Sequence, residues 1–297
     1  MADQVSDEPE ALVKKALRFE QFGEIDAARD MLRSALEVDP DNSDIWTRLG
    51  VLYSEHGIVD KARKAFHEAI RIDSKHLQPM EQLGFLEFTE GDFEATVDVL
   101  LKYLEARGSD IDTLILLAKA ACKIDDCDTL MEATSRIIKL DEDVYEAWEL
   151  RGQTYAKKGK YNEACVCLNM AIDLHPASVA ALNGVGDLCY EAENYLRAAE
   201  FYESSLEVNE EQLGVLFRYS TSLCMLDRWM DAIPLLERYT SSVPDDARGW
   251  NNLGVVLREK GDVARAIECY KKALEVDPSL TEAQKNLETA MKKEVLT

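Results

Sequence analysis

Proline and glycine are scarce in this chain of 297 residues, at 7 and 14. So few breakers rule out a flexible linker or low-complexity protein and leave room for many helices. Basic residues are also in deficit, with 34 Lys and Arg against 57 Asp and Glu and a net charge of -23. A surface of that sign repels phosphate backbones, which argues against nucleic acid and favours basic peptides or protein surfaces. No apolar run approaches the roughly 18 residues of a membrane span, so membrane insertion is not expected. Met1 to Glu10 contains no basic residue and no apolar core, so it is no secretory signal, and residues 1–8 read as an acidic tail. The cysteines number 7, an odd count. Cys122, Cys165, Cys189 and Cys269 lie in helical patterns and read as reduced thiols of a cytoplasmic protein.

The residues of a catalytic site are missing too. His56, His67 and His76 lie nine or more residues apart and His175 far downstream, none with a second histidine at metal-ligand spacing. Gly184-Val185-Gly186 lies inside a helical pattern after no strand, and Gly159-Lys160 lacks the upstream glycine of a phosphate loop. No cofactor, no metal and no enzyme activity are expected.

What the chain does contain is a repeat. Trp46, Leu49, Gly50, Tyr53, Ala62, Phe66 and Ala69 recur as Trp148, Gly152, Tyr155, Ala164, Leu168 and Ala171, with an offset of 102 residues. They recur 102 residues later as Trp250, Leu253, Gly254, Leu257, Ala266, Tyr270 and Ala273. The underlying period is 34, and it organises the whole chain into eight units starting at 9, 43, 77, 111, 145, 179, 213 and 247. One column is bulky throughout (Leu12, Trp46, Met80, Leu114, Trp148, Leu182, Leu216, Trp250). Four residues on, every unit has a small residue, among them Gly50, Gly152, Gly186 and Gly254. Twelve further on stand alanines in six of eight units, including Ala62, Ala164, Ala198 and Ala266.

Apolar residues three and four apart divide each unit into two amphipathic helices, A and B. In the fifth unit these span about 145–158 and 161–174. Gly159 marks the turn between them; Gly23, Gly57, Gly91 and Gly261 fill the same slot elsewhere, and Asp125, Glu193 and Asp227 the others. Glutamate tolerates a left-handed conformation poorly, so Asn194 is expected to take the turn in place of Glu193. Pro40, Pro176, Pro244 and Pro278 stop helix B. Small residues on A facing alanine on B would let the two backbones approach, and stacking of successive hairpins would bury the face each leaves open. A last helix, within residues 281–297, would cap the array with Ala283, Leu287 and Met291 while Glu288 stays in water.

This pattern resembles the tetratricopeptide repeat family over residues 9–280, with the closest fit in the second, fifth and eighth units. Glu87 departs from it where an aromatic is usual, and Pro234 lies inside a helix B. The resemblance implies an all-α, right-handed superhelical solenoid with helices A lining a concave groove. It also implies a scaffold or adaptor that binds another protein or peptide there. A self-assembling module forming homo-oligomers, or a regulatory subunit controlling an enzyme in trans, are the alternatives.

Carrying the family's groove positions onto this sequence selects Phe85, Phe88, Lys119, Lys123, Lys157, Asn183, Tyr190, Phe217, Arg218, Arg248, Asn251 and Asn252. Phe85, Phe88, Tyr190 and Phe217 either serve as apolar anchors for a partner or pack beneath a neighbouring helix. The three lysines suit an acidic segment or a carboxylate. The carboxylate clamp of chaperone-binding members is not reproduced: Asn183 and Asp187 stand where Lys and Asn are expected, and Asp187 would repel a terminal carboxylate.

Overall fold

The computed structural model describes residues 8–294. The expected acidic tail therefore lies, Glu8 apart, outside the described residues. Among these there are 17 helices and no strand. The helices are α1 (Pro9–Gln21), α2 (Ile25–Val38), α3 (Ser43–Glu55), α4 (Val59–Ile72), α5 (Leu77–Glu90) and α6 (Phe93–Arg107). Next come α7 (Ile111–Lys123), α8 (Cys127–Leu140), α9 (Tyr145–Lys157), α10 (Tyr161–Leu174), α11 (Val179–Glu191) and α12 (Tyr195–Val208). The last are α13 (Leu213–Met225), α14 (Trp229–Ser242), α15 (Ala247–Lys260), α16 (Val263–Val276) and α17 (Thr281–Glu294). Odd-numbered helices are helices A, and even-numbered ones are helices B.

Two compact units divide the chain, one ending at Leu150 and the other starting at Arg151. Within the first, α3 packs on α5 and α5 on α7, besides each helix on its hairpin partner. Within the second, α13 packs on α15 and α15 on α17. No two even-numbered helices pack as closely, so in each unit the odd-numbered helices crowd together on the inner side.

Local chemistry sets the ends of these helices. Asn42, Asp92, Asp126, Ser178, Asn194, Asp246 and Asp262 each accept a backbone N–H at a helix start. α2, α10, α14 and α16 each stop two residues before the proline that follows them. Pro234 is accommodated inside α14 on its exposed side, at the loss of one donor to the carbonyl of Met230. One turn differs from expectation. Glu193 itself is left-handed at φ 59°, while Asn194 has φ -86°. Asn194 is already committed as the cap of α12, accepting from the Arg197 N–H at 3.3 Å, so the strain falls on its neighbour.

The small column works differently from the expected small-on-small contact. A Cβ added to Gly50, Gly84, Gly152, Gly186 or Gly254 would come under 3.0 Å from Phe66, Leu100, Leu168, Tyr202 or Tyr270 respectively. In every case the partner lies sixteen residues on and is fully buried. The glycine thus makes room for a large side chain of helix B, not for its alanine. Ala62, Ala164, Ala198 and Ala266 are themselves wholly buried.

Trp46, Trp148 and Trp250 have a second task. Each indole Nε1 donates to a backbone carbonyl six residues earlier (Pro40, Glu142, Pro244) at 2.8–2.9 Å. Gln284, in the same column of α17, donates its Nε2 to the Pro278 carbonyl at 2.8 Å and so reproduces the indole contact. The cap is closed by Ala283 and Ala290 with half-buried Leu287; Met291, expected to join them, is 48% exposed.

Glu87 occupies its aromatic column as half of an ion pair. It is 2% exposed, and Arg63 of α4 grips it bidentately, Nε to Oε1 at 2.6 Å and Nη2 to Oε2 at 2.7 Å. The pair satisfies a carboxylate that burial would otherwise penalise.

Candidate partner-binding surface

In the first unit the inner side presents Phe85 of α5, a residue 60% exposed. It borders a cavity of about 300 Å³ floored by Leu100, Ile115 and Leu116 and edged by Glu81, Asp112 and Lys119. An apolar floor with charges of both signs at its rim suits one large side chain held by its neighbours' polar groups. Phe88 instead turns edge-on to Phe93 of α6, with ring centroids 5.5 Å apart. Lys123 is exposed in the last turn of α7, one turn beyond Lys119. A second inner cavity, of about 620 Å³, lies between α1 and α3 over Val13, Leu17, Ile45 and Val51.

In the second unit the predicted residues form a stack of rings and arginines. Tyr190 of α11 packs edge-on against Tyr195 at 5.5 Å, and the Arg218 guanidinium lies 5.9 Å over its ring. Phe217 meets Tyr239 at 5.1 Å and is covered by Arg248 at 5.8 Å. Burial raises the Tyr190 phenol above its ordinary value. Asp187 binds Arg218 Nη1 at 2.9 Å and accepts the Tyr202 hydroxyl at 2.7 Å. Burial, then that hydrogen bond, hold the Tyr202 proton far more tightly than usual. Asp187 is therefore neutralised by Arg218 rather than standing alone as a repulsive charge.

The asparagines are engaged to different degrees. Asn183 Nδ2 donates to Gln212 at 2.6 Å, while its Oδ1 is buried with no hydrogen-bond partner among the described residues. Asn251 is buried and its Oδ1 accepts from Asn286 of α17 at 2.9 Å. Asn252 is half-buried beside it, and Lys157 is exposed at the end of α9. Of the four aromatic candidates, then, Phe85 stands in the open and three lean on a ring of the following helix B.

The pairing of Asp187 with Arg218 escaped the sequence reading, although a signal was present. Their separation of 31 is about one helical turn short of the repeat, which places the two groups on adjacent helices A one turn apart, within reach of the long arginine side chain. The Arg63–Glu87 pair has no such regular spacing. Among the described residues no group of three or more His, Cys, Asp or Glu is placed to hold a metal ion, all seven cysteines are free thiols, and no helix is long and apolar enough to cross a membrane.

Helical hairpins stacked in this way define an all-α repeat protein of the protein-interaction scaffold class. The tetratricopeptide repeat family matches residues 13–76, 150–209 and 247–280, and the chain belongs to it. Human tetratricopeptide repeat protein 7B is 28% identical over 134 residues, covering 45% of this chain and 16% of that protein. Anaphase-promoting complex subunit 7 of Arabidopsis thaliana is 29% identical over 136 residues, covering 46% of this chain and 24% of its own length. The chain thus spans a quarter or less of the length of these relatives. Among solved structures, YrrB, described as a TPR protein with an unusual peptide-binding site, superposes with a TM-score of 0.54 at 18% identity. That match covers 63% of this chain and 96% of YrrB, and shows the shared fold.

Proposed function

We propose that the chain binds a segment of another protein along the inner faces of its odd-numbered helices and acts by that binding alone, without catalysis. The observation that carries this reading is Phe85: a 60% exposed aromatic beside an apolar cavity whose rim offers Lys119, Glu81 and Asp112. Large rings left in solvent at the edge of a pocket are the usual anchors of protein interfaces. The assembly subunits among its relatives and the peptide site named for YrrB agree with a protein or peptide as ligand. The Tyr190–Arg218 and Phe217–Arg248 stacks supply a second, more rigid contact surface, their side chains already fixed before binding.

The test is quantitative recovery of partners by the wild-type chain and by Phe85→Ala and Lys119→Glu, combined with cross-link mapping. Both side chains are exposed, so the variants keep their helix content. A partner cross-linked to α5 and α7 should bind Phe85→Ala about tenfold more weakly or worse, equivalent to about 1.4 kcal/mol. Equal recovery by both variants, or cross-links confined to even-numbered helices, would refute the groove reading.

A further inference from the structure

The outer side of the first unit holds a cavity that the groove does not use, of about 820 Å³, between α2, α3 and α4. Its floor is apolar and aromatic: Leu36, Trp46, Leu49 and Tyr53. The indole N–H of Trp46 is already bound to the Pro40 carbonyl, so the ring offers the cavity only its apolar surface. The rim carries Arg33, Lys61, Lys64 and His67 together with two carboxylates, Glu37 and Glu68. None of Arg33, Lys61 and Lys64 forms an ion pair among the described residues, whereas Arg29, Arg63 and Arg71 on the same two helices are each paired with a carboxylate. Lys61 lies 5.6 Å over the Tyr53 ring, which leaves its ammonium able to meet an anion as well.

The eighth unit shows the same place closed. There Lys272 lays its ammonium 4.4 Å over the Trp250 indole, and Arg265 is tied to Glu237 at 2.7 Å, leaving a cavity of about 300 Å³. Six periods earlier the counterpart of Lys272 is Glu68, and Arg71 draws it away at 2.7 Å. Where the eighth unit has a lid over its indole, this place has a rim side chain whose carboxylate is tied to Arg71, and Arg33, Lys61 and Lys64 around the opening have been left without ion-pair partners among the described residues.

We infer that this outer cavity is a second docking site, for an acidic segment of another protein that inserts one large apolar side chain over Trp46 and Tyr53 and sets flanking carboxylates against Arg33, Lys61 and Lys64. Charge complementarity selects the occupant: in a chain of net charge -23, three unpaired cations surround this apolar floor against Glu37 and a Glu68 already bound to Arg71, so the rim is locally positive. The distant acidic surface opposes such a ligand weakly, because charges beyond about 8 Å are largely screened at physiological salt. This site is independent of the inner groove.

The test uses a fluorescein-labelled octapeptide of glutamates and aspartates around a central phenylalanine, and its glutamine/asparagine counterpart, titrated into the full chain by fluorescence anisotropy. The acidic peptide should bind and weaken as salt rises, and the neutral one should bind at least tenfold less well. Lys61→Glu with Lys64→Glu should abolish binding, Lys61→Gln with Lys64→Gln should weaken it by an intermediate factor, and Phe85→Ala should leave it unchanged. Carbodiimide coupling should join peptide carboxylates to Lys61 or Lys64. Equal affinity of the two peptides, no effect of the charge reversal in a variant of unchanged circular dichroism, or loss of binding in Phe85→Ala would each overturn the assignment.

Discussion

Gly254→Ala adds one methyl group to the molecule and should destabilise it, against the intrinsic preference of helices for alanine. Its Cβ would stand 2.6 Å from Cε1, 2.8 Å from Cδ1 and 3.0 Å from Cζ of Tyr270. Favourable carbon contacts begin at about 3.5 Å, so the ring must retreat by roughly 1 Å. It has nowhere to go, because Tyr270 is fully buried in the hairpin of α15 and α16. Overpacking of this kind costs about 1–3 kcal/mol, and the gain in helix propensity returns up to about 1 kcal/mol. The net loss is about 1–2 kcal/mol. Gly214, also helical and in the same compact unit, has no atom within 4 Å of its added Cβ. Gly214→Ala should instead stabilise by about 0.4–1 kcal/mol. Urea unfolding followed by circular dichroism, with hydrogen exchange of the α15 and α16 amides, separates the two signs. Tyr270→Leu in the Gly254→Ala background should recover more than half the loss, because the first unit already combines Ala16 with Leu32. A Gly254→Ala variant as stable as wild type would refute the argument that glycine is there to admit the ring.

Three further outcomes follow from contacts described above. Arg63→Ala strands the Glu87 carboxylate in the interior and should cost about 2–3 kcal/mol, less than a fully buried pair because Arg63 is partly in water; replacing both residues with apolar ones should cost less than Arg63→Ala alone in the same urea titration. Burial works to raise the Asp246 pKa, but hydrogen bonds from Tyr239 and the Arg248 N–H, with the Arg248 charge, outweigh it and hold the group below its ordinary value. A depressed carboxylate stabilises the fold above its unfolded pKa of about 3.9 and loses that contribution as pH falls through the folded value, so the stability gap between wild type and Asp246→Asn should be complete at neutral pH and close in strong acid. Gln284→Ala removes the tie to the Pro278 carbonyl and should lower the protection of α17 amides by about 0.5–1.5 kcal/mol, while Gln284→Trp should retain it.

The period was legible because every unit repeats one steric problem, so Gly50, Gly152 and Gly254 announce themselves by their spacing. What a single column cannot tell is which side chain it faces. The partner of each glycine proved to be the large residue sixteen positions on, a relation set by how the two helices of a hairpin cross. Glu193 takes the left-handed turn against its own preference for a similar reason: Asn194 is already occupied as the cap of α12. For the surface, the helix face carrying Phe85 and Phe88 could be read from the register. Their different fates depended on whether the next helix B offered a ring, and Phe93 did so for only one of them. The outer cavity was invisible in advance, since it arises from a lid that has been exchanged for Glu68.

The indole contacts give the chain a rhythm of stiffness. Trp46, Trp148 and Trp250 each fasten a helix A to the loop that delivers it, and Gln284 does so once more at the end. Met80, Leu114, Leu182 and Leu216 fill the same column with side chains that have no N–H to give. After Trp46 and after Trp148, a bolted joint is thus followed by two without that tether, although Gln212 ties the loop before α13 to Ser205 and Asn209 in its place. Slow breathing of the array should concentrate at those unbolted joints, where a bound segment could be gripped or released by small rotations.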